Sequence, residues 1–287
     1  MPTNRQIYFD LLKENNKYLT RLVVKTLLND ANGFNDEISL YKHFDEECND
    51  YNNLLKKIER VRNGEPFQYV LGYANFIDHN FYVDKNVLIP RQETEELVIN
   101  VREMIKSLFS NKDLTIADIG TGSGAIAITL KRYFSKAHVI ATDISKEALD
   151  VAIKNSESQN QSIEFLLGDM TKPLESLGIE LDVLVSNPPY IESEQTIDEQ
   201  VWKYEPHSAL LANPSTHFYE EIFKSAEKIM KPNSLMAFEI GEDMEKPLLE
   251  LIGKYFTFTN VTFKFSKDMY NKTRFLYIIM QEDTHYA

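Results

Sequence analysis

Residues 187–190 read Asn187-Pro188-Pro189-Tyr190 and directly follow an apolar, strand-like run at 181–186. Two consecutive prolines remove two backbone donors, so the carbonyls around them can act only as acceptors. Asn187 adds a side-chain carbonyl, and Tyr190 offers a rigid ring against which a planar group can lie. A site that accepts both hydrogens of a flat, uncharged –NH2 group suits methyl transfer to its nitrogen. The alternative is a proline-rich turn after a strand.

A glycine-rich segment upstream is typical of a ligand-binding turn between a strand and a helix. A buried strand is predicted at 114–119 and a helix from residue 125. The spacing Gly-x-Gly-x-Gly differs from the Gly-x-Gly-x-x-Gly that opens a helix onto a pyrophosphate. Asp118, two positions before the first glycine, suits a ligand with a cationic amino-acid moiety. The predicted cofactor-binding residues of this turn are Asp118, Gly120, Thr121, Gly122, Ser123 and Gly124.

Two further predicted strands end in acidic residues. The strand at 139–142 is followed by Asp143, about 20 residues beyond the glycines, where a carboxylate can accept both ribose hydroxyls. The strand at 163–167 is followed by Gly168, Asp169 and Met170, which can face an adenine edge. Each acid alone could instead cap a helix. Together with Asp118 they predict a crevice at the carboxyl ends of a parallel sheet.

These motifs in combination resemble class I S-adenosylmethionine-dependent methyltransferases that modify amino or amide nitrogens. More narrowly, the chain resembles the HemK/PrmC family of protein N5-glutamine methyltransferases, which act on peptide-chain release factors. The resemblance spans roughly residues 60 to 280. Besides the two motifs above, the strings that carry it are Glu65–Gly72, Val87–Glu95, Tyr204–Leu210, Phe238–Gly241 and Lys267–Arg274.

The resemblance implies a methyl donor, S-adenosyl-L-methionine (released as S-adenosyl-L-homocysteine), and a glutamine within Gly-Gly-Gln of class-I release factors as acceptor. It predicts an enzyme of translation termination. Asn187, Pro188 and Tyr190 are the predicted catalytic residues: the Asn187 oxygen and the Pro188 carbonyl accept the amide hydrogens, and Tyr190 packs on the glutamine. Pro189 shapes the substrate-binding loop, and Asn187 also borders the cofactor. Glu205 is expected to support this loop.

Four departures from the usual family pattern are visible. Gln92 replaces a proline, Asn271 stands where glycine is commoner, and residues 212–214 lack a frequent glycine pair. Asn tolerates a positive φ better than other non-glycine residues, so Asn271 is expected to form the same turn. Met170 stands where an aromatic residue often contacts the adenine. A thioether can also pack on a ring, so binding is expected to persist.

Composition excludes several other classes of protein. The 287 residues are 43% hydrophobic and 26% charged, enough for a substantial core. Cys48 is the single cysteine, which excludes a disulfide framework and a thiolate metal site, and no metal is predicted. We expect a cytoplasmic protein without direct membrane contact, because neither a signal peptide nor an apolar run of about 18 residues is present. The net charge of −13 argues against broad binding to phosphate backbones, so no direct nucleic-acid partner is expected.

The pattern along the chain predicts an α/β protein preceded by a small helical domain. Residues 1–72 are read as a helical substrate-docking domain and 73–90 as a linker with a β-hairpin at about 76–88. Residues 91–287 are read as the methyltransferase domain. Its Rossmann-like, mainly parallel seven-stranded sheet should have an antiparallel last strand. The last two strands are expected near 255–265 and 274–280.

Two other functions remain open from the residues. An N6-adenine or other nucleic-acid amino-methyltransferase would use the same Asn/Asp-Pro-Pro-aromatic solution for an exocyclic amine. Such enzymes usually carry a basic face or a target-recognition domain, and this chain is acidic. A nucleotide-binding regulatory module with a degenerate catalytic loop is the non-enzymatic alternative. The intact Asn187-Pro188-Pro189-Tyr190 tetrapeptide argues against it.

Overall fold

A computed structural model describes residues 1–109, 113–258 and 260–281. The chain divides into two compact units. The first comprises Met1–Tyr73 together with Asp198–Tyr204, and the second comprises Ala74–Ile197 together with the chain from Glu205 onward. The division differs from the domain boundaries read from the sequence, because residues 74–90 join the larger unit and a short later segment joins the smaller one.

The smaller unit is helical and has its own core. Side-chain caps open four of its helices: Thr3, Thr20, Asp36 and Asp50 each accept a hydrogen bond from a first-turn backbone N–H. Apolar residues three and four apart then bury one face of each longer helix. The helices are α1 (Asn4–Lys13), α2 (Arg21–Asn32), α3 (Glu37–Lys42), α4 (Tyr51–Arg62) and α5 (Phe67–Leu71).

A sixth helix of this unit, α10 (Glu199–Tyr204), comes from much later in the chain. Gln200 Nε2 donates to the Gly64 carbonyl at 2.9 Å, and Tyr204 Oη donates to the Asn63 carbonyl at 3.2 Å. Both bonds satisfy carbonyls just beyond the end of α4, which have no partner within that helix. The helical unit is therefore completed by a segment that follows the Asn187–Tyr190 loop.

The β-hairpin consists of β1 (Tyr73–Phe76) and β2 (His79–Tyr82). Its two turn residues, Ile77 and Asp78, both have positive φ, as a two-residue hairpin turn of this twist requires. Phe76 and Phe81 are fully buried in the core of the larger unit. The prediction of a hairpin is thus right in type, but its position at 76–88 is wrong, because residues after Tyr82 leave the strand.

The larger unit contains one seven-stranded sheet in the order β5-β4-β3-β6-β7-β9-β8. Strands β3 to β7 pair in parallel, whereas β9 is antiparallel to both β7 and β8. This confirms the predicted fold class. The strands are β3 (Thr115–Ile119), β4 (His138–Asp143), β5 (Glu164–Leu167), β6 (Leu181–Ser186), β7 (Met230–Glu239), β8 (Asn260–Lys267) and β9 (Thr273–Gln281).

Helices cover both faces of the sheet. Alternate residues of β7 face opposite layers: Leu235 and Ala237 enter the hydrophobic core cluster beside α6 and α7, whereas Met236 and Phe238 enter the cluster beside α11 and α12. Glu239 therefore ends the strand on the face of α6. The helices are α6 (Gln92–Leu108), α7 (Ala125–Tyr133), α8 (Lys146–Ser158), α9 (Lys172–Leu177), α11 (His217–Ile229) and α12 (Glu245–Tyr255).

The predicted start of the penultimate strand at residue 255 is wrong. Tyr255 is the last residue of α12, which buries Leu248 and Ile252 one turn apart. That spacing of four is a helical repeat, and the strand β8 begins only at Asn260. Within the described residues, no helix combines the length and apolar character that a membrane span requires.

Candidate functional site

The candidate site lies where the order of the sheet reverses, between β3 and β6. These strands are parallel neighbours, with Ile119 opposite Ser186. The Ser186 hydroxyl donates to the Ile119 carbonyl at 2.7 Å. The next residues of the two strands, Gly120 and Asn187, therefore leave the same edge side by side. A crevice at this topological switch point is where open α/β sheets bind ligands.

The glycine-rich turn closes tightly over the end of β3. Gly120 and Thr121 both donate backbone N–H groups to the Thr142 carbonyl at 2.9 Å. Gly122 has φ +55°, with open space where a side chain would stand, which leaves room for a ligand against the backbone. At Gly124, with φ +82°, a Cβ would lie 2.9 Å from Ile128 Cδ1. The first part of the turn thus leaves space for a ligand, and its end is packed against α7.

Asp118 lies beneath this turn and is fully buried. Its Oδ2 accepts from the Thr121 hydroxyl at 2.6 Å and from the Ala127 backbone N–H at 3.2 Å. Its Oδ1 has no hydrogen-bond partner among the described residues. Burial raises the pKa of the Asp118 carboxyl to about 7. A buried carboxylate oxygen without a donor fits a cationic ligand group, and the other oxygen holds the turn in shape.

Asp143 ends β4 beside the turn. Its Oδ2 accepts from the Gly122 N–H at 2.9 Å, and its Oδ1 accepts from the Ser145 N–H at 2.9 Å. Burial raises the pKa of this carboxyl, against the effect of these bonds. Each carboxylate oxygen can accept more than one hydrogen bond, so Asp143 can still accept hydrogen bonds from the hydroxyl groups of a ligand. The side chain is fixed in a position suited to a ribose.

Asp169 and Met170 follow β5, the outer neighbour of β4. Asp169 forms an ion pair with Lys172. Met170 has a positive φ, and its carbonyl accepts from the Thr142 hydroxyl at 3.0 Å. The Gly168 N–H donates to the Asp143 carbonyl at 2.9 Å. The segment is thus tied to the end of β4, although both side chains line a cleft with residues of α9 and α11, separate from the cleft described next.

One cleft brings five of the predicted residues together. The first residues of the glycine-rich turn form one side of it, and Asn187, Pro90 and Thr94 lie on the other. The donor set fits S-adenosylmethionine: bare backbone at the turn, an unpaired buried carboxylate oxygen beneath it, and a fixed carboxylate at the next strand end. The predicted residues that line this cleft are Gly120, Thr121, Gly122, Ser123 and Asn187.

The Asn187–Tyr190 loop is held by side chains from two other elements. Asn187 Nδ2 lies 3.1 Å from the Thr94 hydroxyl oxygen, to which it donates. At the other end, the Tyr190 hydroxyl donates to Glu239 Oε1 at 3.1 Å. Pro188 is buried between them. The Tyr190 ring packs toward Gly241, where a Cβ would lie 3.4 Å from the ring.

The two ends of the loop meet at one carboxylate. The Thr94 hydroxyl donates to Glu239 Oε2 at 2.7 Å, and Tyr219 Oη donates to the Glu239 carbonyl at 2.7 Å. Glu239 is buried at 2% exposure and Thr94 at 6%. Burial raises the pKa of Glu239 to about 7, although its hydrogen bonds from Thr94 and Tyr190 act in the opposite direction.

Thr94 and Glu239 belong to the family-like strings Val87–Glu95 and Phe238–Gly241, but neither was predicted to have a role in the site. Glu205 was expected to support the loop. Arg91 Nη2 donates to Glu205 Oε1 at 2.5 Å, and the Ile89 N–H donates to Glu205 Oε2 at 3.0 Å. A buried carboxylate thereby joins the segment before α6 to the region following the loop.

The β8–β9 turn bears on one departure from the family pattern. Asn271 has φ +65°, which confirms that it forms the left-handed turn expected there. Asp268 Oδ1 accepts from the N–H groups of Tyr270 and Lys272, each at 2.9 Å. The Met269 N–H donates to the Glu96 carboxylate on α6. The turn is therefore fixed to the helix that carries Thr94.

Comparison with known proteins places this geometry in a family. The model of the methyltransferase small domain matches residues 99–210. The release factor glutamine methyltransferase of Staphylococcus aureus is 43% identical over 198 residues, which cover 68% of this chain and 69% of that protein. The protein of the same name from Bacillus subtilis is 39% identical over 223 residues, covering 76% and 77%.

Solved structures show the fold alone, because their sequence identity is low. A methyltransferase from Pyrococcus furiosus is 19% identical with a TM-score of 0.51, covering 72% of this chain and 90% of that one. The hMettl16 catalytic domain, solved in complex with the MAT2A 3′UTR hairpin 1, is 17% identical with a TM-score of 0.54, covering 72% and 76%. These likenesses do not distinguish a protein substrate from an RNA substrate.

Proposed function

The chain belongs to the family of release factor glutamine methyltransferases and is an S-adenosylmethionine-dependent methyltransferase, and we propose that its acceptor is the N5 side-chain amide nitrogen of the glutamine in Gly-Gly-Gln of class-I peptide chain release factors. The observation that carries this proposal is the position of Asn187. It leaves β6 directly beside the glycine-rich turn and lines the same cleft. An amide nitrogen held beside Asn187 would lie next to a methyl donor bound on the glycine-rich turn.

The cofactor would be held by the turn and the neighbouring strand ends. S-adenosylmethionine supplies, when bound, an electrophilic methyl group on a sulfonium. Asp143 would accept the ribose hydroxyls, and the Asp118 oxygen without a partner suits the cationic amino group. We assign Asp169 and Met170 to the adenine side: they line a different cleft from the glycine-rich turn, but hydrogen bonds tie their segment to the end of β4. The Met170 thioether can pack on the adenine ring.

The chain's own residues would position the acceptor nitrogen. The Asn187 oxygen and the Pro188 carbonyl accept the two amide hydrogens, which turns the nitrogen lone pair toward the methyl donor. Because an in-line displacement on a correctly placed nitrogen gains most of its rate from positioning, no general base is required to remove a proton beforehand. The methylated nitrogen then loses one of its two hydrogens as a proton to solvent. Pro189 shapes the loop, and the Tyr190 ring packs on the glutamine side chain. His207, the nearest histidine in sequence, is exposed.

The helical unit would dock the protein substrate. It has a hydrophobic core of its own. It nonetheless exposes large apolar side chains on α2 and α3: Leu22 at 61%, Ile38 at 67% and Tyr41 at 50%. Exposed apolar side chains of this size are common at protein interaction sites. A folded release factor offers the protein partner that such a surface suits.

The competing assignment is methylation of an exocyclic amine in nucleic acid. Purified protein incubated with radiolabelled S-adenosylmethionine and equal amounts of a class-I release factor and of DNA or RNA should label only the release factor. The net charge of −13 makes a long phosphate backbone an unfavourable partner. Label on the nucleic acid with none on the release factor would overturn the proposal.

A further inference from the structure

Asn187, Thr94 and Glu239 form a chain of two side-chain hydrogen bonds, here called the relay, which ends at the –NH2 group of Asn187. Asn187 Nδ2 donates to Thr94 Oγ1, and Thr94 Oγ1 donates to Glu239 Oε2 at 2.7 Å. A hydroxyl has a single hydrogen to donate, so its donation to Glu239 leaves only its lone pairs for Asn187. The direction of the second bond therefore fixes the direction of the first.

The orientation of the Asn187 amide matters because one end of it accepts hydrogen bonds and the other end donates them. The oxygen accepts hydrogens and the –NH2 group donates them, although both have nearly the same shape. With Nδ2 bonded to Thr94, the oxygen occupies the other corner of the planar amide. The turned amide would present donors to a substrate –NH2 group, which also donates. Packing alone distinguishes these two orientations poorly.

We propose that Glu239 and Thr94 are positioning residues for methyl transfer: the Glu239 carboxylate, acting through the Thr94 hydroxyl, holds the Asn187 amide with its oxygen toward the acceptor nitrogen. The same carboxylate accepts a hydrogen bond from the Tyr190 hydroxyl through its second oxygen, so both ends of the tetrapeptide are positioned by Glu239. This inference rests on the proposed role of Asn187 and adds the residues that orient it.

The position of Glu239 makes the relay rigid. It is the last residue of β7, and its backbone pairs with Phe275 of β9. Its carbonyl accepts from the buried Tyr219 hydroxyl. Thr94 lies in the first turn of α6. The relay thus joins a strand end and a helix, and only its last member belongs to a loop.

Protonation of Glu239 would disturb the relay. A protonated carboxyl can donate to Thr94, which frees the threonine hydroxyl to donate to the Asn187 oxygen and favours the turned amide. Burial raises the pKa of Glu239 to about 7. The charged and titratable groups that act on it are Arg274 of β9, Glu93 of α6, and Tyr190. Turnover should therefore rise with pH through about 7 as the carboxylate forms.

Thr94→Val keeps the shape of the side chain and removes the hydroxyl. We expect kcat to fall about tenfold to a hundredfold, with KM for S-adenosylmethionine changed by no more than about twofold. Thr94→Ser should restore most of the rate. Thr129→Val is the matched control, because Thr129 is a buried threonine whose hydroxyl has no hydrogen-bond partner among the described residues. It should have wild-type kinetics.

The pH profile separates positioning from a merely structural role. Glu239→Gln carries no group that titrates, so its kcat should lack the rise near pH 7. The NMR signals of the Asn187 side-chain amide can be assigned by their loss in Asn187→Ala. In the wild type, their chemical shifts should change as the pH passes through about 7. In Thr94→Val, their chemical shifts should differ from those of the wild type at every pH. This readout needs no substrate, so it tests the relay even if the proposed acceptor is wrong. A wild-type kcat in Thr94→Val would overturn the inference. So would Asn187 amide chemical shifts that change neither with Thr94→Val nor with pH.

Discussion

The backbone N–H of Gly122 donates to the carboxylate of Asp143 across 2.9 Å. One bond thus connects the turn expected to hold the amino-acid part of the cofactor with the side chain expected to hold its ribose. Because Gly122 adopts φ +55°, a non-glycine residue there would be strained and would disturb both. This bond therefore holds the glycine-rich turn and the Asp143 carboxylate in a fixed position relative to each other.

We predict that Asp143→Ala weakens S-adenosylmethionine binding by about a hundredfold or more, because it removes charge-assisted bonds to two ribose hydroxyls, each worth about 1.5–3 kcal/mol. Calorimetric titration measures the change. Asp150→Ala is the control: that carboxylate pairs with Lys146 on the exposed side of α8 and should leave affinity unchanged. Equal affinity of Asp143→Ala and the wild type would remove the ribose assignment.

We predict a pH-dependent stability that Glu239→Gln reduces. The Glu239 pKa rises on folding from an ordinary value of 4.5 to about 7, so the folded state holds a proton that the unfolded state has lost. The free energy of unfolding should therefore fall as pH rises from about 4.5 through 7, by about 3 kcal/mol in total. Urea unfolding at pH 5 and pH 8 tests this. The difference between the two pH values should be smaller in the variant, and an unchanged difference would contradict the burial of an ionisable Glu239.

We predict that Asn187→Asp keeps cofactor binding and lowers turnover by about a hundredfold. Aspartate has an acceptor oxygen but no hydrogen to donate to Thr94, so the link to Glu239 is lost. Its charge would also stabilise a bound sulfonium in the ground state more than in the transition state, where that positive charge disperses. Single-turnover rates with a Gly-Gly-Gln peptide give the measurement. A wild-type rate would show that the acceptor geometry is wrong.

We predict that Leu22→Ser with Ile38→Ser impairs methylation of the folded release factor and spares that of a short Gly-Gly-Gln peptide. Both side chains are exposed on the helical unit, so the change should not unfold it. The expected result is a raised KM for the protein with kcat little altered. Lys13→Ser, on the same unit and exposed, is the control. Equal loss on peptide and protein would argue against a docking role for this unit.

Features set by local sequence were predictable. The strand before the glycine-rich turn and the strand before Asn187 carry their own apolar patterns, and the rule for parallel sheets brings their ends together. Asn271 was predictable because a positive φ restricts residue type. The helical conformation of Tyr255, the last residue of α12, was missed, since Tyr255 and Phe256 fit the pattern of either element.

Features set by long-range contacts were not predictable. Thr94 and Glu239 are separated by 145 residues, and only the pairing of α6 with β7 brings a hydroxyl to a carboxylate. Similarly, nothing in the residues of α10 marks it as part of the helical unit. Its hydrogen bonds reach back to Gly64 and Asn63, well over one hundred residues earlier, and the apolar pattern of a helix this short does not identify its partner.

The most direct test of the central claim is site-resolved mass spectrometry of a class-I release factor after incubation with the enzyme and S-adenosylmethionine. The account predicts one added methyl group, located on the side chain of the glutamine in Gly-Gly-Gln, and its absence from reactions with Asn187→Asp at early times. A methyl group on any other residue, or an unmodified release factor under conditions where the enzyme binds its cofactor, would contradict it.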